Sequence, residues 1–117
     1  SVDIQIVKHP ISREELMKIA SEGFGDLVKA AVDVLQGIMA IGGELHADEE
    51  VLLAEKEGSK REHMWGINIY PKRSGSGMIE FDSMINLKPH YGNRSRDVEN
   101  PEIRKKIQTI VQQLITG

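Results

Sequence analysis

Glu44, His46, Asp48 and Asp82 carry the atoms that acid–base or metal chemistry needs. An imidazole nitrogen with several carboxylate oxygens suits a divalent ion. A bound ion of that kind could activate water for hydrolysis. The spacing argues little for it, because it matches neither H-E-x-x-H nor an EF-hand loop. The plainer reading is that Asp48, Glu49 and Glu50 open a helix, where carboxylates suit the positive dipole end, and that His46 ends a strand. No metal and no cofactor is assigned.

Asn68 and Asn86 fall inside predicted strands, where asparagine fits poorly, so both want an explanation. With Asp82 they offer donors and acceptors to a small ligand or a partner backbone. Asn93, Arg94, Ser95 and Arg96 form a polar loop, and guanidinium groups match carboxylate and phosphate geometry. The plainer reading pairs those arginines with Asp97 or Glu99. Arg104-Lys105-Lys106, Lys60-Arg61 and Lys72-Arg73 are scattered, and the net charge is −3. Nucleic acid is therefore a disfavoured partner. Gly37 and Gly42-Gly43 are no phosphate loop, since no Lys-Ser or Lys-Thr follows. Gly-x-Ser-x-Gly leading from a strand into a helix is absent, and there is no cysteine to serve as nucleophile or thiolate ligand.

Val2, Ile4 and Ile6 alternate as a first strand does. Ser12 opens a helix as a capping box with Glu15, Leu16, Ile19 and Ala20 form its apolar stripe, and Gly23 and Gly25 close it. The β-branched run from Leu27 to Leu35 also fits helical spacing but is read as a strand. It turns at Gln36-Gly37 into Ile38–Ile41, and the line continues through Glu44-Leu45-His46. Ala47 to Glu57 is a helix with Gly58 as its stop. Met64 to Tyr70 and Met78 to Leu87 are strands around a Ser-Gly loop. Asn100 caps a last helix with Pro101 at its first position, and Ile103, Ile107, Ile110, Val111 and Leu114 face inward. The expected fold is α+β, in the order β-α-β-β-α-β-β-α. A mostly antiparallel five-stranded sheet would carry its three helices on one face.

Strand parity then suggests a place for chemistry. Trp65, Ile67 and Ile69 share an inward face, as do Ile79, Phe81, Ser83, Ile85 and Leu87. The opposite face would gather Glu44, His46, Asn68, Asp82 and Asn86.

Three strings are distinctive: Gly37 to Glu49, Trp65 to Pro71, and Ile79 to Pro89 followed by Gly92-Asn93-Arg94-Ser95. Together they resemble a family of small prokaryotic proteins classed as a domain of unknown function. The resemblance spans nearly the whole chain and implies no catalytic role.

The chain's 117 residues suit one domain, 1–117. No apolar run approaches the ~18 residues of a membrane span, and no signal segment opens the sequence. A cytoplasmic protein is the expectation, and no membrane partner. The residues do not name a function. They favour binding of a small ligand or protein partner on the polar sheet face and the Gly92 to Arg96 loop. The alternative is a metal-dependent hydrolase using His46, Asp48, Glu44 and Asp82.

Overall fold

Alternating and helical apolar patterns become real elements where they can be buried. A computed structural model describes residues 3–117; Ser1 and Val2, the latter assigned to the first strand by its pattern, lie outside the described residues. The elements are β1 (Gln5–Val7), β2 (Ile11–Ser12), α1 (Arg13–Glu22), β3 (Val28–Asp33), β4 (Ile38–Ile41), α2 (His46–Glu57), β5 (Met64–Ile69), β6 (Ile79–Glu80), α3 (Pro101–Leu114) and β7 (Ile115–Thr116). Five strands form an antiparallel sheet in the order β1-β4-β3-β5-β6. β2 and β7 make a separate parallel pair. The α+β class and the hairpin at Gln36-Gly37 stand as expected, and Leu27 to Leu35 is strand at its centre.

Local chemistry sets two of the helix starts. The Ser12 hydroxyl accepts the Glu15 amide of α1 at 3.0 Å. The Asn100 carboxamide accepts the Glu102 amide of α3 at 2.8 Å, with Pro101 beside it. α2 differs: Leu45 stands at its cap position and no side chain satisfies its first amides. Its end is conventional, with Gly58 left-handed at φ 66°.

The helices do not share one face. α1 and α3 bury Leu16, Ala20, Ile107, Ile110, Val111 and Leu114 against Val28, Ala30, Val32, Trp65, Ile67 and Ile69. α2 lies on the other face, with Leu53 against Ala31, Ala40, Met64 and Ile85. The cause is legible in β3, whose Val28, Ala30, Ala31 and Val32 are apolar at both parities, as a doubly covered strand requires.

The α2 face changes character along the strands. At one end Ile38, Asp33 and Met64 align across β4, β3 and β5. In the middle Ala40, Ala31 and Gly66 form a row of small residues that lets α2 and the chain at Ser83 approach closely. At the other end Lys29, Asn68 and Glu80 align across β3, β5 and β6.

Two strands are shorter than their patterns. β4 stops at Ile41 because Gly42 turns the chain at φ 89°, a region side chains disfavour. Glu44 and His46 are therefore not strand residues; His46 begins α2. β6 ends at Glu80 rather than Leu87. Beyond it the Ser83 hydroxyl accepts the Ile85 amide at 3.2 Å and the chain enters a short turn, Met84–Asn86. That turn breaks the parity, so Ile85 packs on the α2 face while Ile79 packs on the other.

Candidate functional site

Where β6 stops, β5 would be left with bare backbone groups. Asn86 covers them. Its Oδ1 accepts the Gly66 amide at 2.8 Å and its Nδ2 donates to the Gly66 carbonyl at 2.9 Å. The carboxamide thus stands in for a neighbouring strand. Nδ2 also donates to the Arg96 carbonyl at 2.9 Å. A Cβ on Gly66 would lie 2.4 Å from Ser83 Oγ, so only glycine admits this chain crossing. Asn93 extends the network. Its Nδ2 donates to the carbonyls of Asn86 (2.7 Å), Asp97 (2.7 Å) and Ser95 (3.1 Å), and its Oδ1 accepts the Glu99 amide at 2.9 Å. Lys88, buried beside it, donates from Nζ to the Arg61 carbonyl at 2.6 Å and to the Met64 carbonyl, and lies 4.2 Å from the Trp65 ring centre. Burial pushes its pKa down to about 8. Asn86 and Asn93 are satisfied on both amide atoms and hold the loop in place.

On the polar row the situation reverses. A cleft of about 400 Å³ opens between the start of α2 and the end of β5, lined by Lys29, Leu45, His46, Asn68, Asp82 and Arg96 with Ala47, Ser83, Met84 and Ile85. Asn68 is only 8 % exposed. Its Nδ2 donates to Glu80 Oε1 at 2.8 Å, which assigns the amide orientation. Its Oδ1 is buried away from solvent, with the His46 side chain against it. His46 donates from Nε2 to the Ile67 carbonyl at 2.8 Å, leaving Nδ1 as the acceptor. Burial lowers its pKa and keeps the ring neutral. Arg96 donates from Nε to Asp82 Oδ1 at 2.6 Å. Lys29 forms no ion pair among the described residues and has only the Phe24 ring at 5.1 Å.

A second cavity of about 410 Å³ adjoins this cleft, sharing Lys29 and Leu45, and is walled by Ile19, Phe24, Leu27 and Val28. The loop between them is pinned by Glu49. Its Oε2 accepts the Gly43 amide at 2.9 Å, and a Cβ on Gly43 would lie 3.0 Å from Glu49 Cγ. Burial pushes the Glu49 pKa up to about 9, so the group is neutral at pH 7.

A family described as a protein of unknown function, DUF5674, matches residues 5–114. The chain belongs to the DUF5674 family. No curated protein and no solved structure matches it.

Of the residues singled out by pattern in this DUF5674 chain, His46, Asn68 and Asp82 meet in the cleft. Arg96, from the polar loop, joins them. Glu44 is exposed on the wall of the adjoining cavity. Asp48 is exposed on α2, one turn from the cleft wall. Asn86 and Asn93 lie in the buried network, and Arg94 is exposed, with its amide donating to Glu99 Oε2 at 3.2 Å. Among the described residues no three His, Asp or Glu side chains converge as metal ligands, so the hydrolase set of His46, Asp48, Glu44 and Asp82 is not assembled. No helix among them is long and apolar enough to cross a membrane.

Lys29 was missed by pattern reading. Its signal was a lone lysine in an otherwise apolar strand, Val28-Lys29-Ala30-Ala31-Val32. Such a residue needs a reason to be there. Glu49 and Lys88 had no comparable signal, because surface helices and loops carry such residues routinely.

Proposed function

We propose that this domain binds a small molecule in the cleft between the start of α2 and the end of β5. The observation that supports it is the convergence of polar side chains from distant elements, Lys29 of β3, His46 of α2, Asn68 of β5, and Asp82 and Arg96 beyond β6, on one cavity of about 400 Å³. The cleft's volume lies within the ~300–1,000 Å³ range of small-ligand sites.

The test is a thermal-shift screen of polar metabolites, followed by amide chemical-shift mapping of each stabilising compound. A bound compound at about 100 times its Kd raises stability by about 2.7 kcal/mol. Stabilising compounds should move the His46, Ala47 and Asn68 amides and lose their effect on Asn68→Ala. If every stabilising compound maps away from these residues, or none stabilises, the reading is wrong.

A further inference from the structure

The cavity beside the cleft differs from it in kind. Its walls are apolar, built by Ile19, Phe24, Leu27, Val28 and Leu45 around about 410 Å³. Phe24 is 49 % exposed and Leu45 56 %, so two large apolar side chains are left facing water there. A concave apolar space of this size with a few charged groups around it suits a small ligand. The charges are three. Lys29 is half-buried, with its ammonium 5.1 Å from the Phe24 ring centre. Glu22 and Glu44 are exposed on the walls. None of the three forms an ion pair among the described residues. Glu49, which accepts the Gly43 amide on the same wall, is neutral and adds no charge. Opposite charges thus line one apolar cavity without pairing with each other. A plain anion would face two carboxylates, and a plain cation would face the ammonium. A molecule carrying both signs on an apolar body complements the whole lining.

We infer that this cavity is a second binding site and that it takes an apolar amino acid. The ligand's side chain packs against Ile19, Phe24 and Leu27, its carboxylate pairs with Lys29, and its ammonium pairs with Glu22 or Glu44. Charge-assisted bonds of this kind are the strong ones. Branched aliphatic or aromatic side chains cover the apolar walls, and glycine leaves them wet. The two cavities share Lys29 and Leu45 but are otherwise lined by different residues, so this inference and the cleft reading stand or fall separately.

The experiment uses the whole chain, ¹⁵N-labelled, titrated at fixed ionic strength with leucine and with three compounds that each lack one of its parts: glycine, 4-methylpentanoate and 3-methylbutylamine. Leucine should move the Phe24, Leu27 and Gly43 amides, which line this cavity and not the cleft, more than those of Ala47 and Asn68, which line only the cleft. Each of the three analogues should bind at least about tenfold weaker, the value of one charge-assisted bond or one buried side chain. Lys29→Gln should weaken leucine and 4-methylpentanoate by about tenfold, but not 3-methylbutylamine. The double variant Glu22→Gln, Glu44→Gln should weaken leucine and 3-methylbutylamine, but not 4-methylpentanoate. Phe24→Ser should weaken leucine and leave glycine unchanged. Melting curves of each variant establish that it is folded. Leucine that binds no tighter than its three analogues, or that moves only the Ala47 and Asn68 amides, overturns the inference. So does a cavity whose Phe24, Leu27 and Gly43 amides respond neither to leucine nor to phenylalanine. In each case screened compounds that map to the cleft leave the cleft reading standing.

Discussion

Asn86 and Asn68 are both buried amides on the α2 side of the β5 edge, and the sequence introduces them alike, as asparagines in strand-like surroundings. Their surroundings use them in opposite ways. Asn86 satisfies both of its polar atoms against the Gly66 backbone and the Arg96 carbonyl, with Asn93 donating to its own carbonyl. Asn68 spends Nδ2 on the exposed Glu80 carboxylate and keeps Oδ1 buried against His46, on the wall of a cleft. A closed network holds a structure, whereas polar side chains gathered around a cavity leave a place for another molecule. The contrast teaches that an out-of-place polar residue marks importance without saying which kind. Only its partners distinguish scaffold from site.

The largest expected effect is in the closed network. Asn86→Ala removes the substitute for a strand neighbour and orphans the Gly66 amide and carbonyl together. A loss of about 3 kcal/mol or more is expected in urea unfolding. Gly66→Ala should fall in the same range, because its Cβ would meet Ser83. A loss below about 1 kcal/mol for Asn86→Ala would mean the network is not the scaffold it looks like.

Glu49 gives the next effect. Its carboxyl has an ordinary value of 4.5 and is raised to about 9 in the folded chain. It is thus neutral when folded and ionised when unfolded over most of the range between. Its contribution to stability is full below 4.5 and is lost as pH rises toward 9. The slope from one such group approaches about 1.4 kcal/mol per pH unit. Unfolding measured at several pH values from 5 upward should show the native chain weakening and Glu49→Gln staying flatter. Parallel curves for the two would remove the buried neutral carboxyl from the account.

Asn68→Ala should matter much less to the free protein. It gives up a bond to the exposed Glu80 and a long one, 3.5 Å, to the Asp82 carbonyl, so the change should stay within about 1 kcal/mol. A loss as large as that of Asn86→Ala would erase the contrast between the two amides. Lys29→Gln is expected to be smallest, within about 0.5 kcal/mol, because the ammonium pairs with no carboxylate among the described residues. Its effect belongs in ligand binding instead.

Much of the fold was legible. The Ser12 and Asn100 caps, the Gly58 stop, the hairpin at Gln36-Gly37 and the stripe from Ile103 to Leu114 all rest on neighbours within a few residues, and all are where the patterns put them. The errors came where the chain left its local rule. Alternation continued from Ile79 to Leu87, but Ser83 turns the chain because Gly66 lets it come close, and those two are 17 positions apart. Alternation also ran on past Ile41, but Gly42 turns the chain and His46 starts a helix without a polar cap to announce it. For the site, His46, Asn68, Asp82 and Arg96 were nameable by residue type. Lys29, the free cation among the described residues of the cleft, was not.

By itself, then, the sequence determined the elements whose hydrogen bonds and apolar periods close within a turn or two: helix caps, helix stops, the hairpin and the inward face of β5. Tertiary structure alone decided that α2 crosses to the second face of the sheet. It also decided that Asn86 takes a strand's place and that Asn68 shares a cleft with Lys29, His46 and the uncapped start of α2. The physical reason is the same in each case. Whether a buried polar atom is satisfied depends on which distant backbone lies within about 3 Å of it, and no local pattern encodes that distance.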